Sequence, residues 1–299
     1  MTHAFGQPAK VPSCIEMPEP EPPPAAAKPG EAPPPATYEA GEVERMTLRR
    51  DPRQSYYLYV PHHLEKDAPI FVSVHGISRN AKEHATRFAP YAERHGVVLV
   101  APRFGRNRYP HYQCLTPDRA GNRPDAVLDR IVAEVREMLH LSASKLYLFG
   151  FSGGGQFVHR YVMAHPERVA RAVIGAAGWY TFPDPDRPYP RGIRARDEHS
   201  PQIDPAYLGV PVEVVVGDKD VERNSALNRS AAVDKQQGRT RLERGRRWID
   251  AMREAARAAG LDTQYEFRTL PGVRHHFGTA MAKGDMGDAV FDFLFGGRK

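Results

Sequence analysis

Cysteine is scarce in this chain, and long apolar runs are missing. Only Cys14 and Cys114 occur among 299 residues, so neither a disulfide framework nor a CxxC metal site can be built. No run of about 18 apolar residues could span a membrane, and the N-terminus lacks the apolar stretch of a signal peptide. These absences predict a soluble protein, cytoplasmic by default, with no metal site and no membrane partner.

A segregated run of basic residues is missing too. The formal net charge is +6, but basic and acidic residues alternate, as in the helical pattern of Arg241–Gly260, which is typical of a solvated helix face. The aromatic and basic motifs of the known nucleic-acid-binding modules do not occur. We therefore expect no nucleic-acid partner.

The N-terminal segment has too few apolar side chains to form a core. Its stretch "MPEPEPPPAAAKPGEAPPPA" (Met17–Ala36) consists mainly of proline and alanine, a composition typical of disordered segments. We predict a disordered tail over residues 1–42 and one folded domain over residues 43–299.

Strand-like and helical patterns alternate within residues 43–299. The stretch "PIFVSVHG" contains a buried strand, and a helical pattern follows over Ala81–His95, with Asn80 placed to cap it and Pro90 expected to kink or restart it. Further strands and helices alternate to the C-terminus. This alternation predicts an α/β fold, a mostly parallel sheet with helices on both faces.

Two segments interrupt the alternation. Thr181–Leu208 is proline-rich and long for a connection, so we predict that it is a lid or a surface insertion. Val221–Gly238 is polar, and we expect it to be mobile. Both follow predicted strands at their C-terminal ends, where open α/β sheets bind ligands.

The stretch "KLYLFGFSGGGQF" (Lys145–Phe157) places a serine among glycines at a strand-to-helix corner. In a Gly-x-Ser-x-Gly corner the glycines avoid collisions between strand and helix, and the serine hydroxyl projects above the sheet. The backbone N–H of Gly153 would lie at a helix N-terminus, where it can stabilise an oxyanion. The pattern therefore predicts that Ser152 is a nucleophile.

A dinucleotide-binding loop is the competing interpretation of the same glycines. The third glycine position of that fingerprint holds Val158, no acidic residue clearly ends the next strand, and no Gly-Lys-Ser/Thr P-loop occurs. The nucleophile interpretation is favoured, and we expect no cofactor.

A nucleophilic serine needs a base and an acid that orients the base. The stretch "VVVGDKD" places Asp218 and Asp220 on the loop after a buried strand, and "LPGVRHHF" places His275 and His276 after the last strand. The chain order is therefore serine, aspartate, histidine, with two candidates for the acid and two for the base.

With these residues the chain resembles the α/β-hydrolase superfamily over roughly residues 43–299. The resemblance rests on "HGI" at residues 75–77, "GFSGG", "HPERV", "GDKD" and "PGVRHHF". Within the superfamily, "YYLYVP", "FSGGGQF" and "GAAGWYTFPD" look like the serine esterase branch that includes polyhydroxyalkanoate-depolymerase-like and feruloyl-esterase-like proteins.

The resemblance implies a role for each site residue. These are Ser152 as nucleophile, His275 as base, Asp220 as orienting acid, and the backbone N–H groups of Gly153 and Ile77 as oxyanion-hole donors. His275 and Asp220 are chosen over their neighbours by their spacing from the preceding glycines, and Asp218 remains a rival to Asp220.

Aromatic residues near the predicted site are candidates for substrate contact. Trp179 and Tyr180 end the strand that follows the nucleophile helix, so their rings line an acyl or alcohol pocket or else pack in the core. The loop Arg103–Cys114 could add Tyr109, His111 or Tyr112 to the same wall, although an exposed loop position is the default expectation.

The resemblance implies a cofactor-independent serine hydrolase that cleaves carboxylic esters. We expect short-chain, soluble substrates, either small-molecule or oligomeric esters. The alternatives are an amidase or peptidase that uses the same triad, and a binding protein that keeps the fold without turnover.

Overall fold

The strands form one sheet whose spatial order differs from the chain order. A computed structural model describes residues 37–118 and 120–296. Its strands are β1 (Val43–Leu48), β2 (Asp51–Tyr59), β3 (Ile70–Val74), β4 (Val98–Arg103), β5 (Leu146–Phe151), β6 (Val169–Gly175), β7 (Val212–Gly217) and β8 (Tyr265–Leu270). They run in the order β1-β2-β4-β3-β5-β6-β7-β8.

Most of the sheet is parallel, as the sequence predicts. β2 pairs antiparallel with β1 and with β4, and β3 to β8 pair in parallel. The central strands are covered on both faces, and all five residues of β3 are buried. This burial explains the near-continuous apolar runs of these strands.

Helices cover both faces of the sheet. They are α1 (Ala81–His95), α2 (Pro124–Leu139), α3 (Gly153–Ala164), α4 (Ala231–Gln237), α5 (Arg241–Ala258), α6 (Phe277–Lys283) and α7 (Met286–Phe295). On one face, Phe71 of β3 meets Phe88 of α1 and Phe291 of α7 edge to face, with ring centroids 5.1 and 5.0 Å apart. α3 and α5 pack on the opposite face.

The first helix matches its predicted bounds but not its predicted cap. α1 ends at Gly96, which is left-handed with φ 60°, as a C-terminal glycine favours. The helix runs through Pro90 without restarting. Asn80 holds the N-cap position, but its side chain bonds Ser78 and Glu83 rather than the backbone, so its predicted capping bond is wrong.

The predicted insertion Thr181–Leu208 is irregular until a short 3-10 turn at its end. Its first residue is fully buried: the Thr181 carbonyl accepts a 2.7 Å hydrogen bond from Trp248 Nε1. Farther along, the Tyr189 hydroxyl donates to the carbonyl of Cys114 at 2.8 Å. The segment is thus attached to the domain at two points, and its predicted role as a lid stays a prediction.

The second segment, Val221–Gly238, is more ordered than the sequence indicates. It contains α4, and the fully buried Gln237 side chain exchanges two 2.8 Å hydrogen bonds with the backbone of Tyr180. Arg223 also pairs with Asp234 at 2.7 Å. These contacts attach the C-terminal part of the segment to the domain, and the expected mobility of the segment stays a prediction.

The predicted tail lies mostly outside the described residues. β1 begins at Val43, the residue at which we place the start of the domain, and the two-part division of the chain stays a prediction. Among residues 37–118 and 120–296, no helix has the length and apolar character needed to cross a bilayer.

Candidate functional site

The predicted nucleophile lies at the corner between β5 and α3. Ser152 has φ 56° and ψ −113°, a backbone conformation that is strained for a residue with a Cβ. Its N–H donates to the Gly175 carbonyl at 2.7 Å, and its carbonyl accepts from Gln156 N at 3.1 Å. The corner is therefore held by bonds to β6 and to the first turn of α3.

Two glycines allow the strand and the helix to approach closely at this corner. A Cβ on Gly150 would lie 2.2 Å from the Gly154 carbonyl oxygen, and a Cβ on Gly154 would lie 1.9 Å from the Val74 oxygen. Both neighbours are backbone atoms that cannot turn aside. These glycines let α3 begin directly above β3 and β5, which fixes the height of Ser152 above the sheet.

Three side chains from three different strand ends form one hydrogen-bonded series. His275 Nε2 lies 3.0 Å from Ser152 Oγ, and His275 Nδ1 lies 2.6 Å from Asp220 Oδ2. The carboxylate accepts, so Nδ1 carries the proton and Nε2 is free to accept from the serine hydroxyl. The Phe151 ring stacks against the imidazole with centroids 5.1 Å apart. The order of the series is that of a serine hydrolase triad.

The structure separates the predicted triad residues from their rivals. Asp218 Oδ1 accepts from the Gly272 N–H at 2.8 Å and bonds the loop rather than His275. His276 Nδ1 accepts from the Thr279 N–H at 3.1 Å, so this side chain caps the N-terminus of α6. Asp220 and His275 are therefore the pair within reach of Ser152, and their catalytic roles remain to be tested.

The two predicted oxyanion-hole donors are neighbours. A Cβ on Gly153 would lie 3.3 Å from the Ile77 backbone nitrogen, so these two residues lie side by side next to the serine. Ile77 is exposed. The preceding Gly76 lies against Ser152, because a Cβ added to Gly76 would be 3.5 Å from the Cβ of Ser152. Two N–H donors directed at one developing negative charge would stabilise it, and this role of Gly153 and Ile77 stays a prediction.

His75 orients the peptide that carries one of these donors. Its Nε2 accepts from the Phe104 N–H at 3.0 Å, so Nδ1 carries the proton and donates to the Gly76 carbonyl at 2.8 Å. Because a trans peptide directs its C=O and N–H to opposite sides, this bond turns the Ile77 N–H away from His75. Burial, reinforced by Arg79, lowers the pKa of His75 to about 3, so the ring stays neutral.

Tyr112 holds the loop of residues 75–77 through a hydrogen bond, a role that the sequence analysis did not assign. Its hydroxyl donates to the His75 carbonyl at 2.7 Å, and the Arg79 guanidinium lies 4.2 Å from the centre of its ring. Tyr112 is fully buried, contrary to the exposed position expected for its loop. The "HGI" motif marks this loop in the sequence, but no local signal pairs it with a tyrosine 37 residues later.

The two predicted substrate-contacting aromatics occupy different environments. Tyr180 is fully buried, and its ring stacks on Trp248 with centroids 5.0 Å apart, so of the two environments expected for it the structure has the core position and not the pocket wall. Trp179 is half-buried, with the Arg160 guanidinium 4.7 Å from its ring centre. Contact between Trp179 and a substrate stays a prediction.

The described residues give no indication of a metal site. Within residues 37–118 and 120–296, no group of three or more histidine, cysteine, aspartate or glutamate side chains is arranged to hold a metal ion. Cys114 is a free, half-buried thiol.

Comparison with known proteins agrees with this fold. The sequence model of a family described by its alpha/beta hydrolase fold matches residues 69–198. A curated relative, a bifunctional acetylxylan esterase/xylanase from Neocallimastix patriciarum, is 25% identical over 116 residues, which are 38% of this chain. That match spans only 16% of the relative's own length.

Two solved structures resemble the chain over most of its length. Poly(aspartic acid) hydrolase-1 from Sphingomonas sp. KT-1 has a TM-score of 0.69 and 25% identity, covering 80% of this chain and 93% of its own. A poly(3-hydroxybutyrate) depolymerase from Bordetella parapertussis has a TM-score of 0.69 and 27% identity, covering 82% of this chain and 84% of its own.

Proposed function

We propose that this chain, which has the α/β-hydrolase fold, is a serine esterase that cleaves carboxylic esters through an acyl-enzyme. One observation carries the proposal: the hydrogen-bonded series of Ser152, His275 and Asp220 at a strained strand-to-helix corner. The relatives named as an acetylxylan esterase/xylanase and a poly(3-hydroxybutyrate) depolymerase support it.

In the acylation step, Ser152 Oγ attacks the ester carbonyl while His275 Nε2 removes the hydroxyl proton. The new Oγ–C bond forms, the carbonyl oxygen becomes an oxyanion, and the imidazole becomes an imidazolium beside Asp220. The N–H groups of Gly153 and Ile77 stabilise the oxyanion. Collapse of this intermediate breaks the C–O bond to the alcohol, which leaves with the proton from His275.

In the deacylation step, water replaces the alcohol. His275 removes a proton from the water as its oxygen attacks the acyl carbonyl, and the same two N–H groups stabilise the second oxyanion. Breaking the Oγ–C bond returns the proton to Ser152 and releases the carboxylic acid. The 2.6 Å bond to Asp220 holds the imidazole in the tautomer that both steps need.

We propose short-chain, soluble esters as substrates. The segment Thr181–Leu208 carries exposed charged residues and no long apolar run, whereas a lid that opens on a lipid surface needs an apolar face. Two relatives are named for acetyl and 3-hydroxybutyrate groups, and both acyl groups are short. Trp179 is the candidate aromatic contact for the bound ester.

A second candidate is amide hydrolysis by the same three residues. The similarity to poly(aspartic acid) hydrolase-1 favours it, because poly(aspartic acid) is a polyamide. The intermediate would be the same acyl-enzyme, and His275 would give its proton to a leaving amine rather than to an alcohol.

A substrate panel distinguishes these candidates. Nitrophenyl esters from acetate to palmitate are compared with methyl ferulate, a 3-hydroxybutyrate oligomer and a butyryl nitroanilide. We expect kcat/KM to be greatest for acyl chains of two to about four carbons and Ser152→Ala to lose nearly all turnover while it keeps its melting temperature. A maximum at long chains would make the protein a lipase, and turnover of the anilide alone would make it an amidase.

A further inference from the structure

The Asp220 carboxylate has a second charged partner besides the histidine. One oxygen, Oδ2, accepts from His275, and the other, Oδ1, lies 3.2 Å from Nη1 of Arg241. The Arg241 side chain is 0% exposed and that of Asp220 is 1% exposed. A buried arginine is therefore bonded to the far side of the candidate triad acid.

Arg241 is held in place by the start of its helix. It is the first residue of α5, directly after Thr240, which forms a capping box with Glu243. Its Nη2 donates to Asn224 Oδ1 at 3.3 Å, and its Nε has no hydrogen-bond partner within the described residues. Burying a guanidinium group with one nitrogen unpaired lowers the free energy of unfolding. This destabilisation indicates a role of Arg241 beyond packing.

We propose that Arg241 is a positioning residue for the candidate triad, whose guanidinium orients the Asp220 carboxylate towards His275. The proposal rests on the proposed function of the same site. A full positive charge on the far side of the carboxylate offsets part of the negative charge that stabilises an imidazolium. Removing this charge should therefore affect the pH dependence of the reaction as well as the position of the carboxylate.

Other charged or titratable groups belong to the segments packed around this pair. They are Tyr180 after β6, Asp218, Lys219 and Glu222 on the loop of Asp220, Arg244 on α5, Arg274 and His276 after β8, and Glu83 on α1. Arg244 pairs with Asp234, and Arg274 pairs with Glu222. Within residues 37–118 and 120–296, Arg241 is the one arginine or lysine paired with the Asp220 carboxylate.

The test is the pH dependence of kcat/KM for nitrophenyl acetate. The acid limb of this profile is the fall in kcat/KM at low pH. Removing the charge with Arg241→Gln should raise the apparent pKa of the acid limb by about one unit. The same substitution should lower kcat about tenfold, with a smaller change in KM. Arg244→Gln is the matched control, because it removes a second side chain of 0% exposure from the same helix. It should lower the melting temperature and leave the acid limb where it is.

Two further variants cover the case in which Arg241→Gln does not fold. Arg241→Lys keeps the charge and should keep the acid limb within about 0.3 units of wild type. Asn224→Asp, at an exposed position, places a carboxylate beside the guanidinium and should raise the acid limb by about half a unit. The proposal would be overturned if the acid limb of the pH profile stayed in place in both Asn224→Asp and folded Arg241→Gln. It would also be overturned if Arg244→Gln shifted the acid limb as far as Arg241→Gln does.

An NMR titration keeps this inference separable from the proposed function. In the Ser152→Ala background the His275 ring can be titrated without turnover, and adding Arg241→Gln or Asn224→Asp should raise its pKa. A protein that hydrolyses no ester but shows this shift would retain the Arg241 assignment and lose the esterase proposal. A protein that hydrolyses esters but shows no change in the His275 pKa in these variants would keep the esterase proposal and lose the Arg241 assignment.

Discussion

Replacing Gly154 with alanine is the substitution for which the structure gives the clearest magnitude. The new Cβ would lie 1.9 Å from the Val74 carbonyl oxygen and 2.7 Å from that of His75. An ordinary contact begins at 3.4 Å, so α3 and the sheet must separate by about 1.5 Å at this point. The displaced atoms include Ser152, two residues before the substitution.

Both activity and stability should respond to that displacement. A shift of about 1 Å between reacting groups can reduce the rate about 100-fold, so Gly154→Ala should lose at least that factor in kcat/KM. Overpacking of about 3 kcal/mol corresponds to a decrease of about 6 to 12 °C in the melting temperature of a domain of this size. Nitrophenyl acetate turnover and a thermal melt measure the two effects.

Two other glycines serve as controls. Gly209 has no atom within 4 Å of a Cβ, so Gly209→Ala should change stability by less than about 0.5 kcal/mol. Gly155→Ala would place its Cβ 3.0 Å from the Gly175 oxygen and should be intermediate. Wild-type turnover and melting temperature in Gly154→Ala would refute the close approach of α3 to the sheet and the positioning argument built on it.

Three further predictions concern single side chains. Asp220→Asn should lower kcat by about 10³- to 10⁴-fold, because the amide no longer selects the productive tautomer of the histidine, whereas Asp218→Asn should be mild; the reverse ranking would move the acid to Asp218. His75→Phe removes the hydrogen bonds that His75 makes to the Gly76 carbonyl and the Phe104 N–H. This substitution should lower kcat about 100-fold with less effect on KM. An unchanged kcat would contradict the role of His75 in orienting the Ile77 peptide. Burial raises the pKa of the Glu213 carboxyl group from 4.5 to about 7, so the folded state holds this proton more tightly than the unfolded state does. Wild type should therefore lose stability relative to Glu213→Gln as the pH rises from about 5 to 8. Melting temperatures of the two proteins that stay parallel across that range would contradict this prediction.

The sequence contains most of the information needed for the candidate triad. Parallel strands bring their C-terminal ends to one edge of the sheet, so Ser152 after β5, Asp220 after β7 and His275 after β8 could be expected to meet. The choice between neighbours needed more: Asp218 bonds a loop amide and His276 caps a helix, and both outcomes depend on the direction in which a loop residue points. The choice of Asp220 and His275 came from the resemblance, because their spacing from the preceding glycines is the one usual in the α/β-hydrolase superfamily.

Contacts between distant segments could not be predicted in the same way. Arg241 lies on a helix whose pattern of charges indicates a solvated face, yet its position in the first turn buries it against Asp220. Gln237 is polar, and its buried bonds to the Tyr180 backbone arise only once α4 lies against the segment that follows β6. Local periodicity reports which face of a helix is apolar, whereas these polar groups are buried because each finds a specific partner.

Covalent labelling with a fluorophosphonate tests the central claim most directly. The reagent reacts with an activated serine hydroxyl, and peptide mass spectrometry locates the adduct. If Ser152, His275 and Asp220 act as a triad, one equivalent should attach to Ser152 and labelling should be lost in folded Ser152→Ala and strongly slowed in Asp220→Asn. Folded wild-type protein that takes up no label, or that takes it up at another residue, would contradict the account.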